Sequence, residues 1–505
     1  MHLQERASLT PDKPAIIYGE TGECVSFAEL DRRSNRVAQL FRHLDCGPGT
    51  HIAVFLENHR DFLPLIWGAD RSGLVYTLVP SRLTGPEASY IVDDCDARIV
   101  ITSAALAPVL VPEQANMPKA RIFVIDGDLP PFGDWAALLE TMPAGPIPDQ
   151  CQGRDMLYSS GTTGRPKGIV ARGAVTSTLS EPTRGEKLWR DTFGASGEIV
   201  YMSPAPLYHA AAIRHALAIH RLGGTVIQVA RFDAEAMLSL IGRYRVTHSQ
   251  WVPTHFSRML KLPAEVRARY DVGSLRCAVH AAAPCPVPLK YAMMDWWGPI
   301  LHEYYSGSEG SGLTALGPQE WLAHPGSVGT AKFGKVRICG FDGEEELAAG
   351  ETGLVYFSDV AAFEYHKDPG KTAESRNSQG WVTLGDIGHV DDDGYLYLTD
   401  RKSFMIISGG VNVYPQEVEN MLLEHPLVDD VAVIGTPDED LGEKVTAVIV
   451  PSRWEDAGEA LAAELTDFVR GRLSPVKRPK AIHFRRELPR EPTGKLMKRL
   501  LRSEY

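Results

Sequence analysis

Tyr158-Ser-Ser-Gly-Thr-Thr-Gly-Arg-Pro-Lys-Gly-Ile169 packs small hydroxyl residues and glycines ahead of a lysine. Glycine allows close approach of backbone to a ligand, so such a loop can aim N–H groups and hydroxyls at phosphate oxygens while Lys167 adds positive charge. It is not a Walker A loop, which requires four residues between its glycines and then Gly-Lys-Ser/Thr. Here Lys167 follows Arg165-Pro166 and precedes Gly168. The stretch predicts a phosphate-binding loop of another kind, and an ordinary Gly/Ser/Thr surface loop is the bland alternative.

On either side of this loop, up to about residue 400, amphipathic helix-like stretches such as 27–44 alternate with short β-rich runs at 51–56, 97–101, 121–125, 224–229, 276–280 and 353–357. That alternation indicates βαβ units and mostly parallel sheets. The pattern changes after Asp400-Arg401-Lys402-Ser403. Residues 404–408, 428–435 and 444–450 read as strands, and 415–424 and 458–473 as helices, which makes a compact α+β unit of ordinary domain size. The expectation is a large α/β N-terminal domain of layered sheets flanked by helices (1–400), a hinge (401–403) and a small mobile α+β C-terminal domain (404–505).

The chain has 505 residues, 44% of them apolar, which is more than one hydrophobic core usually supports. A net charge of −12, with scattered Lys and Arg, supplies no basic field for a phosphate backbone and argues against nucleic acid. Seven dispersed cysteines show no metal spacing and read as reduced thiols of a cytoplasmic protein. No run approaches the ~18 apolar residues of a membrane span, so no integral membrane segment is expected.

The motifs beyond the first loop resemble the adenylate-forming superfamily of acyl- and aryl-CoA synthetases, peptide-synthetase adenylation domains and luciferases. In order they are Pro206-Leu-Tyr-His209, Ala281-Ala-Ala-Pro284, Tyr305-Ser-Gly-Ser-Glu309, Leu384-Gly-Asp386, Asp400-Arg401, Ile407-Ser-Gly-Gly-Val-Asn-Val-Tyr-Pro415 and Pro489-Arg-Glu-Pro-Thr-Gly-Lys495. The resemblance implies ATP, Mg2+ and coenzyme A as cofactors. Adenylation brings a carboxylate against the α-phosphate, so positive charge and a metal must screen two anions. Lys495, Glu309 and Lys167 are the implied catalytic residues, and Glu309 with Thr162 would hold the metal.

The same resemblance assigns nucleotide and CoA contacts to Ser159, Ser160, Gly161, Thr162, Thr163 and Gly164, and to Ala282, Ala283 and Pro284. Tyr305 would stack on adenine, Ser306 and Ser308 would line the same loop, Asp386 would accept from the ribose hydroxyls, and Arg401 would contact ribose or phosphate. Gly409 and Gly410 would approach the pantetheine, Lys477 and Arg478 the CoA nucleotide, and Ser403 would be the pivot of domain rotation. The chain departs from common family residues at Ser308 (threonine), Ser403 (aspartate or lysine) and Val411 (glutamate).

The acid pocket is expected around His209, Ala210, Trp251, Val252 and Tyr304. With small residues nearby and no basic residue evident to pair a second carboxylate, the favoured substrate is a medium-chain, branched or aryl carboxylic acid. The acceptor is expected to be CoA, with a separate carrier protein left open, in a monomer or homodimer. Two other readings are activation of a non-carboxylate such as nitrite, and a non-catalytic homologue, which the retained Lys167, Glu309, Asp386, Arg401 and Lys495 disfavour.

Overall fold

The computed structural model describes residues 1–159, 165–171, 179–490 and 496–505. The expected alternation is present. The helix Phe27–His43 starts where the Ser26 hydroxyl accepts from Glu29 N at 3.2 Å, and it buries Phe27, Leu30, Val37, Leu40 and Phe41 along one face.

Two large sheets carry most of the chain. One is wholly parallel, in the spatial order Gly133–Asp134, Arg121–Val124, Ile99–Thr102, His51–Phe55, Val75–Leu78, Arg154–Asp155. Its inner strands are almost continuously apolar, because a parallel sheet is covered on both faces. In the other, six neighbouring strands run parallel: Leu301–Ser306, Cys277–His280, His248–Trp251, Val200–Met202, Thr225–Gln228 and Pro14–Tyr18. Antiparallel strands extend it on both sides.

A four-stranded antiparallel sheet follows, built from Lys335–Cys339, Gly353–Ser358, Val382–Val390 and Leu396–Arg401. The last sheet joins Val411–Val413, Ile406–Ser408, Gly442–Pro451, Val428–Asp438 and Ala481–Phe484. Ile406, Val413, Val418, Leu422, Val433, Val445, Leu461 and Leu465 form a core of its own beneath the helices Pro415–Leu423 and Glu459–Arg470.

An unusual number of histidines are buried. Burial holds His2, His215 and His255 at about 3 and His209, His220, His248 and His302 at about 4, against 6.5 for a free imidazole. Between those values each binds more protons unfolded than folded, so stability is lost as pH falls below 6.5. Asp70, raised by burial to about 7, and Glu303 and Glu419, also raised by burial, act in the opposite sense, but they are three groups against seven. Each histidine contributes on the order of 1.4 kcal/mol per pH unit within its window. The urea midpoint should therefore be flat from pH 7 to 8 and fall steeply between pH 6 and 5. Equal midpoints at pH 7.5 and 5 would refute this.

Candidate active site

Four of the sequence motifs meet for one topological reason. The adjacent parallel strands Val200–Met202, His248–Trp251, Cys277–His280 and Leu301–Ser306 lead into the loops carrying His209, Val252, Ala281 to Pro284, and Ser306 to Glu309. Ligands bind in the crevice outside the carboxyl ends of such strands. At the end of Cys277–His280 the backbone turns through Ala282 with φ +77°, a left-handed conformation costly for a residue with a Cβ. Ala282 and Pro284 are exposed and Ala283 is half-buried.

Tyr305, Asp386 and Arg401 form one unit. Asp386 and Arg401 are cross-strand partners, and the Arg401 Nε donates to Asp386 Oδ1 at 2.7 Å. The Tyr305 hydroxyl, from the large sheet, donates to Asp386 Oδ2 at 2.5 Å. Burial and the Asp386 carboxylate push the Tyr305 phenol well above its usual range, so it stays a donor. Coulombic attraction to Asp386 raises the Arg401 pKa further, despite burial.

Glu309 lies on the next loop, where its Oε1 accepts from the Tyr365 hydroxyl at 3.0 Å. The Ser306 hydroxyl closes that loop by donating to Gly312 O at 2.6 Å. A Cβ on Gly307 would meet Glu309 Oε2 at 2.5 Å and Leu384 at 2.7 and 2.9 Å. Gly307→Ala should therefore displace the Glu309 carboxylate, lowering kcat/KM about 10-fold or more with a raised Mg2+ requirement. An unchanged Mg2+ titration would contradict this.

Lys167, at the start of the strand Lys167–Ala171, is ion-paired with Asp368, which raises the pKa of the lysine. Ser159 ends the strand Leu157–Ser159 that pairs with it. Ser160, Gly161, Thr162, Thr163, Gly164 and Lys495 lie outside the described residues.

On the acid side, His209 precedes the helix Ala210–Leu222, with its buried Nε2 lacking a partner and its pKa lowered by burial to about 4. It is a neutral imidazole at physiological pH. Tyr304 packs against His215 on the same helix, its hydroxyl accepting from Gln250 Nε2 at 3.3 Å, and Gln250 Oε1 accepts from Tyr201 at 3.0 Å. The expectation for Trp251 requires correction. Side chains alternate along a strand, so Gln250 faces Tyr304 while Trp251 packs against Phe256 and Trp297 in the core, 1% exposed. Val252 is buried at the start of the helix Pro253–Leu260.

The expectation of no basic residue near the pocket is also corrected. Arg214 Nη2 pairs with Asp155 at 2.7 Å, and the guanidinium faces the Ser308 carbonyl at 3.4 and 3.5 Å. Arg184 donates to Gly310 O at 2.5 Å. Arg214 is the first charged residue after His209, a signal the sequence contained.

Gly409 (φ +57°) and Gly410 (φ +78°) form an exposed turn between Ile406–Ser408 and Val411–Val413, with both residues in the left-handed region that favours glycine. Ser403 is exposed, and its carbonyl accepts from Arg502 at 3.3 Å. Asp400 Oδ2 accepts from Gln416 N at 2.8 Å, capping the helix Pro415–Leu423 from across residues 401–403. Lys477 is bound to the Glu417 carboxylate at 2.7 and 2.8 Å, and Arg478 donates to the Leu473 carbonyl.

Among the described residues no group of three or more His, Cys, Asp or Glu could hold a metal alone. Mg2+ commonly uses one or two carboxylates together with substrate phosphates, so Glu309 with one oxygen beyond the Tyr365 contact fits that ion.

Residues 3–364 match the AMP-binding enzyme family and residues 417–495 the AMP-binding enzyme C-terminal domain. The chain belongs to this adenylate-forming family of acyl- and aryl-CoA synthetases. It is 33% identical to the long-chain-fatty-acid–CoA ligase FadD13 of Mycobacterium tuberculosis, covering 100% of this chain and 97% of that protein. It is also 33% identical to a feruloyl-CoA synthase of an Amycolatopsis species, over 99% and 97% of the two chains. The crystal structure of the anthranilate CoA ligase AuaEII in complex with anthranoyl-AMP superposes with a TM-score of 0.86 at 25% identity, covering 99% and 96%.

Proposed function

We propose that this chain activates a carboxylic acid with ATP to an acyl-adenylate, releasing pyrophosphate, and transfers the acyl group to CoA, releasing AMP. The observation that carries the proposal is the Tyr305–Asp386–Arg401 unit set beside the Glu309 loop at adjoining strand ends. This arrangement suits a nucleotide whose base lies by Tyr305 and the Ala282 turn, whose ribose meets Asp386, and whose phosphates reach Glu309. Lys167 exchanges Asp368 for a phosphate oxygen in this reading, and Lys495 bridges the acid carboxylate and the α-phosphate. Where Mg2+ is bound, Glu309 holds it and the ion screens the phosphate charge.

The two half-reactions use one site in turn, with residues 404–505 rotating about Ser403 to bring the Gly409-Gly410 turn to the thiol. Rotation must break the Asp400–Gln416 bond, because its two ends lie on opposite sides of the pivot. The acid body is apolar, fatty, branched or aryl, lying between His209, Ala210 and Tyr304.

The test is pyrophosphate release with MgATP across fatty, branched, phenylpropanoid and amino acids and nitrite, each with and without CoA. Acid-dependent release that accelerates with CoA and yields a thioester is expected. Release without a thioester would move the acceptor to a carrier protein or an amine, and release with nitrite alone would overturn the acid assignment.

A further inference from the structure

The acid side of the cleft carries more positive charge than a purely apolar acid requires. Arg214 keeps 40% of its side chain accessible, against 18% for its partner Asp155. Its Nε and Nη2 converge on a single oxygen of Asp155, at 3.0 and 2.7 Å. The remaining contacts, to the Ser308 carbonyl at 3.4 and 3.5 Å, exceed ordinary hydrogen-bond length. A guanidinium has five N–H donors, so Asp155 leaves most of them unspent.

Arg184 lies close enough to repel it: burial lowers the Arg184 pKa and Arg214 lowers it further. Arg184 sits 4.5 Å over the Phe333 ring and pairs with no carboxylate among the described residues. Glu309 does not neutralise this pair, because its carboxylate reaches Tyr365 and acts on Arg401. Among the described residues, two guanidiniums against Asp155 leave one positive charge beside the Ser308–Gly310 loop, and a cation with unspent donors suits an anionic acceptor.

We propose that the acid this chain activates carries a second carboxylate, or another oxyanion of similar reach, on its apolar body, which Arg214 binds with Arg184 supporting it. The proposal rests on the acid-adenylating reading above. The competing use of the same charge is the ATP triphosphate, and separate kinetics for acid and nucleotide distinguish the two.

The experiment measures pyrophosphate release with glutaric, adipic and phthalic acids, each beside the monoacid lacking the second carboxylate, for the unmodified protein and for Arg214→Met, Arg214→Lys and Arg184→Met. The unmodified protein should favour the diacid in kcat/KM by about 100-fold, since a site built for a polar group is left unpaired by the analogue lacking it. Arg214→Met should abolish that preference while the KM for ATP stays within about 2-fold, and Arg214→Lys should retain part of it. A preference of the unmodified protein for monoacids overturns the proposal without any variant, and leaves the adenylating reading intact. A uniform loss on all acids with a raised KM for ATP in Arg214→Met would assign the arginine to the triphosphate instead. No release with any acid would remove the adenylating reading itself.

Discussion

Lys495→Met should lower adenylate formation by about 1,000-fold while thioester formation from preformed acyl-adenylate stays within about 10-fold. Adenylation brings two anions together, and a lysine bridging them stabilises charge that develops only as they react. In the proposed mechanism thioester formation starts after that encounter and, with residues 404–505 rotated, no longer requires the residue. Measuring pyrophosphate release and thiol-dependent consumption of synthetic adenylate separately tests this. Equal loss in both half-reactions would contradict the use of one site in two domain arrangements.

Asp386→Ala should be the most damaging change among the described residues of the proposed nucleotide site. It removes the acceptor shared by the Tyr305 hydroxyl and the Arg401 guanidinium. Asp386 is 5% exposed, so water replaces it poorly, whereas Arg401 is 35% exposed and its share is discounted accordingly. The sum is about 3 kcal/mol of stability, together with a fall of about 100-fold in kcat/KM for ATP. Tyr305→Phe should cost about 1 kcal/mol, and the double variant less than the sum, because the two groups share one partner. Urea unfolding of the four proteins checks this, and additive losses would show that Tyr305 and Asp386 act independently.

The strands and helices that position the site were legible because their signals are local. The run at 276–280 reads as a strand and is one over Cys277–His280, and the small residues that follow mark the turn through Ala282. The pairing of Asp386 with Arg401 was foreshadowed only as two residues on one ligand, since their direct contact depends on the register of two strands.

What escaped the sequence depends on distant chain segments or on strand parity. Arg214 meets the Ser308 carbonyl across 94 residues, and Lys167 meets Asp368 across 201. Neither partner can be inferred from periodicity. Trp251 was expected to line the acid pocket, but its strand turns Gln250 toward Tyr304 and Trp251 into the core, because a shift of one residue exchanges the two faces of a sheet. Lys477, implied as a CoA contact, pairs with Glu417 across 60 residues, a partner that periodicity does not show either.

The most direct test of the central claim is the fate of oxygen from the acid. With a carboxylate labelled with oxygen-18 at both positions, MgATP and CoA, one labelled oxygen should appear in the phosphate of AMP and the other in the thioester carbonyl, because the carboxylate oxygen that attacks the α-phosphorus leaves with AMP. Unlabelled AMP, or label in inorganic phosphate alongside ADP, would contradict an acyl-adenylate intermediate in this protein.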